Sequence, residues 1–158
     1  MRTVTLAATQ MSCSESRLEN LDAAEAPVRL AATAGAQVIL PQELFAEPYF
    51  CQTESPKNFD LAEEFRDSVV VARFSDLARE LGVVIPVPYF ERAGRSFFNS
   101  VAVADADGSI VGRYRKSHIP DGPGYEEKYY FNPGDTGRRP STMSRSPDET
   151  ENAGALWP

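Results

Sequence analysis

The stretch AGAQVILPQELF, residues 34–45, decides the fold class of this chain. Gly35 is a suitable helix stop, residues 37–40 have the short apolar pattern of a buried strand, and Pro41 ends that strand. Upstream, residues 4–9 show the same strand pattern. The sequence between the two strands is helical in character, so the chain opens with a βαβ-like unit of the α/β class.

The opening helix has both a start signal and an internal breaker. Residues 14–17 offer helix-capping side chains, and apolar residues recur at helical spacing from Leu18 to Ala31. Pro27 lies inside this pattern. We expect a kink or an interruption there, because a proline inside a helix costs about 3 kcal/mol if nothing compensates.

The middle of the chain predicts one more helix and three more strands. Residues 67–81 form an amphipathic helical pattern that Gly82 ends. Residues 83–89 predict an irregular or edge strand because they contain two prolines. Residues 96–104 and 109–116 predict two antiparallel strands joined by a hairpin turn, Asp-Ala-Asp-Gly. The sheet is therefore expected to be mixed.

The remaining segments are predicted to be loops or disordered. Residues 43–59 form a long aromatic loop, which favours a pocket wall over disorder. Residues 117–137 are loop-like. Residues 138–158 have the composition of a disordered tail.

Composition excludes several classes of function. The 158 residues suit one domain, and a formal net charge of −7 argues against a nucleic-acid partner. No signal peptide or membrane span is apparent, and two cysteines are too few for a disulfide framework. We expect a soluble, cytoplasmic protein with no membrane partner. No group of residues has metal-ligand spacing, so we predict no metal and no cofactor.

Four motifs occur in order: residues 34–45, residues 97–100 (FFNS), residues 114–120 (YRKSHIP) and residues 122–137 (GPGYEEKYYFNPGDTG). Together they resemble the nitrilase, or carbon–nitrogen hydrolase, superfamily. The last motif is most similar to the N-carbamoylputrescine amidase branch. The resemblance implies the N-terminal portion of a nitrilase-type αββα four-layer sandwich with a mixed sheet. It also implies a small-molecule carbamoyl or amide substrate.

The resemblance assigns roles to individual residues. In this superfamily a cysteine thiolate attacks an amide or carbamoyl carbon, a glutamate serves as general base, and a lysine stabilises the oxyanion. By motif, Glu43 is the base and Lys116 the oxyanion stabiliser. Glu127 matches a second, orienting glutamate, with Glu126 as the fallback. From their residue types, Tyr49, Phe50, Tyr125 and Glu126 are predicted to bind substrate. The alternatives are aromatic side chains that belong to the core and a solvated loop charge at Glu126.

The resemblance ends after Gly137, before the cysteine of the family. Residues 1–137 are therefore predicted to be a partial carbon–nitrogen hydrolase domain, and residues 138–158 an unrelated tail. Cys13 and Cys51 are weighed as replacement nucleophiles, but small packing residues or inert thiols are the simpler interpretation. The family forms homo-oligomers, and the missing half would also supply much of the dimer surface.

Three functional hypotheses follow from the sequence. The first is an amidohydrolase that releases putrescine, ammonia and carbon dioxide from N-carbamoylputrescine, a step of polyamine biosynthesis. The second is a non-catalytic fragment or assembly module, because the cysteine is missing. The third is another branch of the superfamily, such as a β-ureidopropionase or a D-carbamoylase. For the 158-residue chain alone, we expect no catalysis.

Overall fold

The computed structural model describes residues 3–137. The predicted tail, residues 138–158, lies outside the described residues. Short 3-10 turns occupy residues 50–52, 56–61 and 65–67. The helices and strands are β1 (Leu6–Ala8), α1 (Arg17–Thr33), β2 (Val38–Leu40), β3 (Glu63–Glu64), α2 (Val69–Leu81), β4 (Ile85–Ala93), β5 (Ser96–Ala104), β6 (Ile110–Arg115) and α3 (Glu127–Tyr130).

The strands form a mixed sheet, as the sequence predicts. β1 and β2 are parallel, and a parallel bridge between Val38 and Val84 joins β2 to the beginning of β4. β4, β5 and β6 are successive antiparallel neighbours, and β3 runs parallel to the far end of β4. The α/β fold class is therefore confirmed.

Helix α1 passes through Pro27 without a break, so the predicted interruption does not occur. The helix begins where the Ser16 side chain accepts a hydrogen bond from the amide of Glu19. Ala24 and Val28, on either side of the proline, are buried. Both halves of the helix pack onto the core, and this burial offsets the cost of the hydrogen bond that Pro27 cannot donate.

Strand β4 is regular and internal, although an irregular or edge strand was expected. The Val84 amide donates to the carbonyl of Gln37, and the Val84 carbonyl accepts from the amide of Ile39. Backbone polar groups alternate sides along a strand, so those of Pro86 and Pro88 point to the same side as those of Val84. In the described chain, β2 reaches this strand only at Val84, just before β4 begins, and β3 pairs only with the far end of β4. Both prolines therefore face a gap in the pairing, where no amide hydrogen is needed.

Helices α1 and α2 cover one face of the sheet. Helix α2 begins at the Ser68 cap and ends at Gly82, whose backbone is left-handed (φ +64°). The main core lies between the helices and the sheet, and its largest fully buried side chains include Phe45, Phe74 and Tyr89. A second, aromatic core lies under the loop that follows β2 and contains Phe50, Phe59, Phe90, Phe97, Tyr129, Tyr130 and Phe131.

The opposite face of the sheet is partly uncovered. Leu6 is 71% exposed and Leu40 is 44% exposed, and the strand register places both on this face. The alternation along β5 and β6 also places Asn99, Tyr114 and Lys116 here. Lys116 therefore lies on the sheet face opposite helices α1 and α2. No helix within residues 3–137 is long and apolar enough to cross a bilayer.

Candidate active site

Three charged side chains from distant parts of the sequence meet at one point. Lys116 Nζ lies 3.1 Å from Glu43 Oε1 and 2.8 Å from Glu127 Oε2. The lysine is thus held between two carboxylates. These are the three residues to which the sequence assigned catalytic roles, although the roles themselves remain predictions.

Glu43 lies just after the end of β2, next to a strained residue. Leu44 has a left-handed backbone (φ +52°), the only positive φ of a non-glycine residue in the described chain. Such a conformation costs about 1–2 kcal/mol for a residue with a side chain. The Leu44 side chain is 3% exposed, so its burial in the aromatic core offsets this cost. The turn leaves the Glu43 side chain half-exposed on the sheet face.

Lys116 follows the last residue of β6, and main-chain bonds hold it on both sides. Its amide donates to the carbonyl of Asn99 at 2.8 Å, and its carbonyl accepts from the amide of Gly134 at 2.9 Å. The peptide groups around Lys116 are therefore fixed by β5 on one side and by the segment after α3 on the other. The side chain extends from this fixed point to Glu43 and Glu127.

Glu127 is the first residue of α3 and is 3% exposed. Its Oε1 accepts a hydrogen bond from the Tyr49 hydroxyl at 2.9 Å, while its Oε2 faces Lys116. The preceding amide, that of Glu126, donates to the carbonyl of Cys51 at 2.6 Å. Glu127, not the fallback Glu126, is the glutamate that the structure places against the lysine.

The carboxylates change the protonation of their neighbours. Burial lowers the pKa of Lys116, but the hydrogen bonds to Glu127 and Glu43 outweigh it, so the net pKa is raised. Burial, the hydrogen bond to Glu127 and its charge all raise the pKa of Tyr49. Lys116 is therefore a fixed cation, suited to stabilising negative charge, and Tyr49 is a fixed hydrogen-bond donor.

Asn99 is a site residue to which the sequence gave no role. Its Nδ2 donates to Glu43 Oε1 at 2.5 Å, and it is 4% exposed. The signal in the sequence is a polar residue on the apolar face of a predicted strand, between Phe97 and Val101. A buried amide at such a position needs a polar partner, and Glu43 provides it.

The predicted substrate-binding residues lie in different surroundings. Tyr49 touches Glu127, as described above. Phe50 belongs to the aromatic core and stacks on Phe90 with ring centroids 5.0 Å apart. Tyr125 is 45% exposed, and Glu126 is partly exposed beside it. Their contact with substrate remains a prediction.

Neither cysteine has the properties of an activated nucleophile. Cys51 is fully buried, and burial together with the charges of Glu127 and Glu43 raises its pKa to about 12. Burial also raises the pKa of Cys13, whose thiol donates to the carbonyl of Phe45. Both thiols are therefore protonated near neutral pH, whereas thiolates are the attacking species.

Within residues 3–137, no group of three or more His, Cys, Asp or Glu side chains is arranged to hold a metal ion. The donors that meet at Glu43 and Glu127 are instead Lys116, Asn99 and Tyr49. The chemistry that this arrangement offers is proton transfer to a carboxylate and charge stabilisation by an ammonium group.

Comparison with known proteins identifies the family. A family model described as carbon–nitrogen hydrolase matches residues 5–156. The chain therefore belongs to the carbon–nitrogen hydrolase family. The match extends beyond the described residues into the segment that the sequence predicts to be an unrelated tail.

Individual relatives agree with this assignment. The chain is 54% identical over 136 residues to an N-carbamoylputrescine amidase of Solanum lycopersicum, covering 86% of this chain and 45% of the relative. It is 45% identical over 137 residues to a citrullinase of Francisella tularensis, covering 87% of this chain and 48% of the relative. The chain thus spans about half the length of the curated relatives it matches.

The solved structures support the fold. The crystal structure of a carbon–nitrogen hydrolase from Helicobacter pylori G27 superposes with a TM-score of 0.78 at 40% sequence identity. The match covers 85% of this chain and 46% of that one. The N-terminal portion of a nitrilase-type fold is therefore confirmed.

Proposed function

We propose that this chain supplies the acid–base and oxyanion-stabilising groups of a hydrolase that cleaves the carbamoyl C–N bond of N-carbamoylputrescine. The single observation that carries the proposal is the placement of Lys116 between Glu43 and Glu127, at 3.1 and 2.8 Å. The motif residues that resemble those of the family converge in space, although 73 residues of sequence separate Glu43 from Lys116.

The chemistry requires a nucleophilic thiol within reach of Glu43 and Lys116. Glu43 takes the thiol proton as sulfur attacks the carbamoyl carbon, and Lys116 stabilises the negative charge that develops on the carbonyl oxygen. As the tetrahedral intermediate collapses, the C–N bond breaks and Glu43 returns its proton to the departing nitrogen. Glu43 then takes a proton from the water that hydrolyses the acyl-enzyme. Glu127 keeps the lysine charged and in place. Cys13 and Cys51 are the only cysteines of the 158 residues, so we propose that catalysis needs a nucleophile from outside this sequence.

The substrate class rests on the relatives. The tomato relative is named for N-carbamoylputrescine and the Francisella relative for citrulline. Both substrates have a ureido group at the end of an aliphatic chain that also carries an amino group. Both therefore place the same group at the reacting centre. We propose N-carbamoylputrescine as the substrate and a role in polyamine biosynthesis, with citrulline as the second candidate.

A chimaera tests this function. Residues 1–137 are joined to the matching remainder of the tomato relative, and ammonia release is measured with N-carbamoylputrescine, citrulline and other carbamoyl compounds, including those of β-ureidopropionase and D-carbamoylase. We expect release from N-carbamoylputrescine and none from the 158-residue chain alone. A well-folded chimaera without turnover on any of these compounds would refute the proposal.

Two substitutions in the chimaera test the site itself. Glu43→Gln removes the base with little change in size, and Lys116→Met removes the ammonium group. We expect each to lower kcat by at least about 100-fold, in line with the loss of a general base or an oxyanion donor. Glu80→Gln is the matched control, because Glu80 pairs with Arg29 at the surface and does not contact the site.

The uncovered sheet face favours a second candidate, a non-catalytic fragment. Leu6 and Leu40 are exposed there, and exposed apolar patches promote association. A cooperative melt and dispersed NMR signals from the 158-residue chain would mark a self-standing module. Aggregation with broad signals would mark a broken piece of a larger fold.

A further inference from the structure

Asn99 contacts both the predicted base and the predicted lysine. Its side-chain Nδ2 donates to Glu43 Oε1 at 2.5 Å, and its main-chain carbonyl accepts from the Lys116 amide at 2.8 Å. One residue in the middle of β5 thus connects two residues that lie in separate loops. Any shift of this point of β5 would move both charges together.

Both donors converge on the same oxygen of Glu43. Lys116 Nζ is 3.1 Å from Oε1, the atom that also accepts from Asn99. Among residues 3–137, no side chain or amide is recorded in a hydrogen bond to Oε2. A carboxylate held by two donors on one oxygen has a fixed plane, so its other oxygen has a fixed direction.

The ion pair between Glu43 and Lys116 does not by itself fix the orientation of the Glu43 carboxylate. The Glu43 side chain is 49% exposed and the Lys116 side chain 29% exposed. Ion pairs that exposed to solvent contribute only about 0–1 kcal/mol, and both side chains have several rotamers of similar energy. Asn99 is different, because its short side chain is 4% exposed and projects from a strand that is paired on both sides.

The burial of Asn99 also argues against a purely structural role. Its neighbours on the same face of β5 are Phe97 and Val101, and an apolar side chain would suit that face. Burying an unpaired amide costs about 1–3 kcal/mol on mutational scales. The recorded side-chain bond that offsets this cost is the one to Glu43.

We propose that Asn99 is a positioning residue that holds Oε1 of Glu43 and so directs Oε2 at the reacting group as the proton acceptor. The inference rests on the proposed function, because only a catalytic base requires one oxygen to be directed. Asn99 touches neither substrate nor nucleophile in this role. It acts through Glu43.

The test uses NMR of the 158-residue chain and needs no turnover. Lysine is labelled with ¹³C at Cε, and the titration of Lys116 is followed in the parent chain, in Asn99→Leu and in Asn99→Ala. If Asn99 holds Glu43 against the lysine, both substitutions release the carboxylate. The titration midpoint of Lys116 then shifts to lower pH, because one of its two carboxylate partners is lost.

Two further measurements separate positioning from mere packing. Ser100→Ala is the matched control, because it removes a buried hydrogen bond from the same strand on the opposite face. We expect it to leave the Lys116 midpoint unchanged. In the parent chain, the two amide protons of Asn99 should have well-separated chemical shifts, and this separation should collapse in Glu43→Ala.

The outcomes are decisive in both directions. A Lys116 midpoint that moves in both Asn99 variants and not in Ser100→Ala supports the proposal. Equal midpoints in all four chains, or an Asn99 amide unaffected by Glu43→Ala, would overturn it. A chimaera without turnover alongside the expected NMR shifts would refute the proposed function and leave the Asn99–Glu43 contact intact.

Discussion

Arg115 and Glu91 form a buried ion pair directly beneath the lysine of the candidate site. Arg115 donates through Nε to Glu91 Oε2 at 3.0 Å and through Nη2 to Oε1 at 2.6 Å. Glu91 is 1% exposed and also accepts from Ser100 and Arg113. Because Lys116 is the next residue after Arg115, this pair anchors the end of β6 from which the lysine projects.

Removing the charge of Glu91 should destabilise the chain strongly. We expect Glu91→Gln to lower the free energy of unfolding by about 3–5 kcal/mol, because it leaves two arginines without their buried carboxylate. Urea denaturation at pH 7 measures the loss. Glu80→Gln serves as the surface control and should leave the midpoint nearly unchanged. Equal midpoints for the two variants would contradict a special role for the buried pair.

The same pair predicts a dependence of stability on acid. Burial raises the pKa of Glu91, but the hydrogen bonds from Arg115 and Ser100 and the nearby arginine charges outweigh it, so the folded-state pKa lies below the ordinary value of 4.5. The stabilisation is present above that value and is lost as the pH falls through the lower folded-state pKa. Urea midpoints that fall more steeply below pH 4.5 in the parent chain than in Glu91→Gln would confirm this.

Gly134 should not tolerate a side chain. A Cβ at this position would lie 2.1 Å from the carbonyl oxygen of Arg115, a backbone atom that cannot move aside. We expect Gly134→Ala to cost about 2–4 kcal/mol and to displace the strand end before Lys116. Gly94→Ala is the control, because Gly94 has a positive φ but open space around it, and should cost only about 1 kcal/mol. Thermal melts compare the two variants, and similar losses would show that the close contact is unimportant.

The elements with strong local signals could be predicted from the sequence. Strand β5 begins and ends at the predicted residues, Ser96 and Ala104, and the hairpin turn after it ends at Gly108, with a positive φ of +84°. Helix α2 ends at Gly82 as expected. In each case a glycine ends the element because its own backbone can adopt a positive φ. Such an end can be predicted without knowledge of tertiary contacts.

The elements missed were those that tertiary packing decides. The short helix α3 forms in a segment rich in glycine and proline signals, because Tyr130 and Phe131 pack into the aromatic core. The two residues of β3 pair only with the end of β4. A two-residue strand is too short to show an alternating hydrophobic pattern in the sequence. Asn99 was overlooked for the same reason, since its partner Glu43 is 56 residues away.

Cys51 should be almost inert toward alkylation. Its side chain is fully buried and its pKa is raised to about 12, so the thiolate is scarce at pH 8. Cys13 is partly exposed, and we expect iodoacetamide to modify it first. Mass spectrometry of the native chain measures both rates, with Cys13→Ser as the control that isolates Cys51. Rapid modification of Cys51 in folded protein would contradict its burial and would reopen its candidacy as a nucleophile.

The Tyr130 hydroxyl should be the main tether between the loop after β2 and the helix that carries Glu127. It accepts hydrogen bonds from the Ser55 amide at 2.8 Å and Asn58 Nδ2 at 2.9 Å, and it donates to the carbonyl of Thr53 at 2.5 Å. Tyr130→Phe leaves these groups without their partner, at a cost of about 1–3 kcal/mol. Because the ring remains in the aromatic core, we expect the damage to be local. Hydrogen–deuterium exchange should accelerate in residues 53–58 and remain unchanged in β5.

The neighbouring tyrosine provides the control for that experiment. Tyr129 packs against Phe59 and Tyr130, but its hydroxyl has no recorded hydrogen bond within residues 3–137. Tyr129→Phe should therefore leave the exchange of residues 53–58 as it is in the parent chain. If both variants accelerate exchange equally, aromatic packing and not the hydroxyl holds the loop. If only Tyr130→Phe does so, the Tyr130 hydroxyl and not aromatic packing holds residues 53–58, in addition to the bonds from Glu126 to Cys51 and from Tyr49 to Glu127.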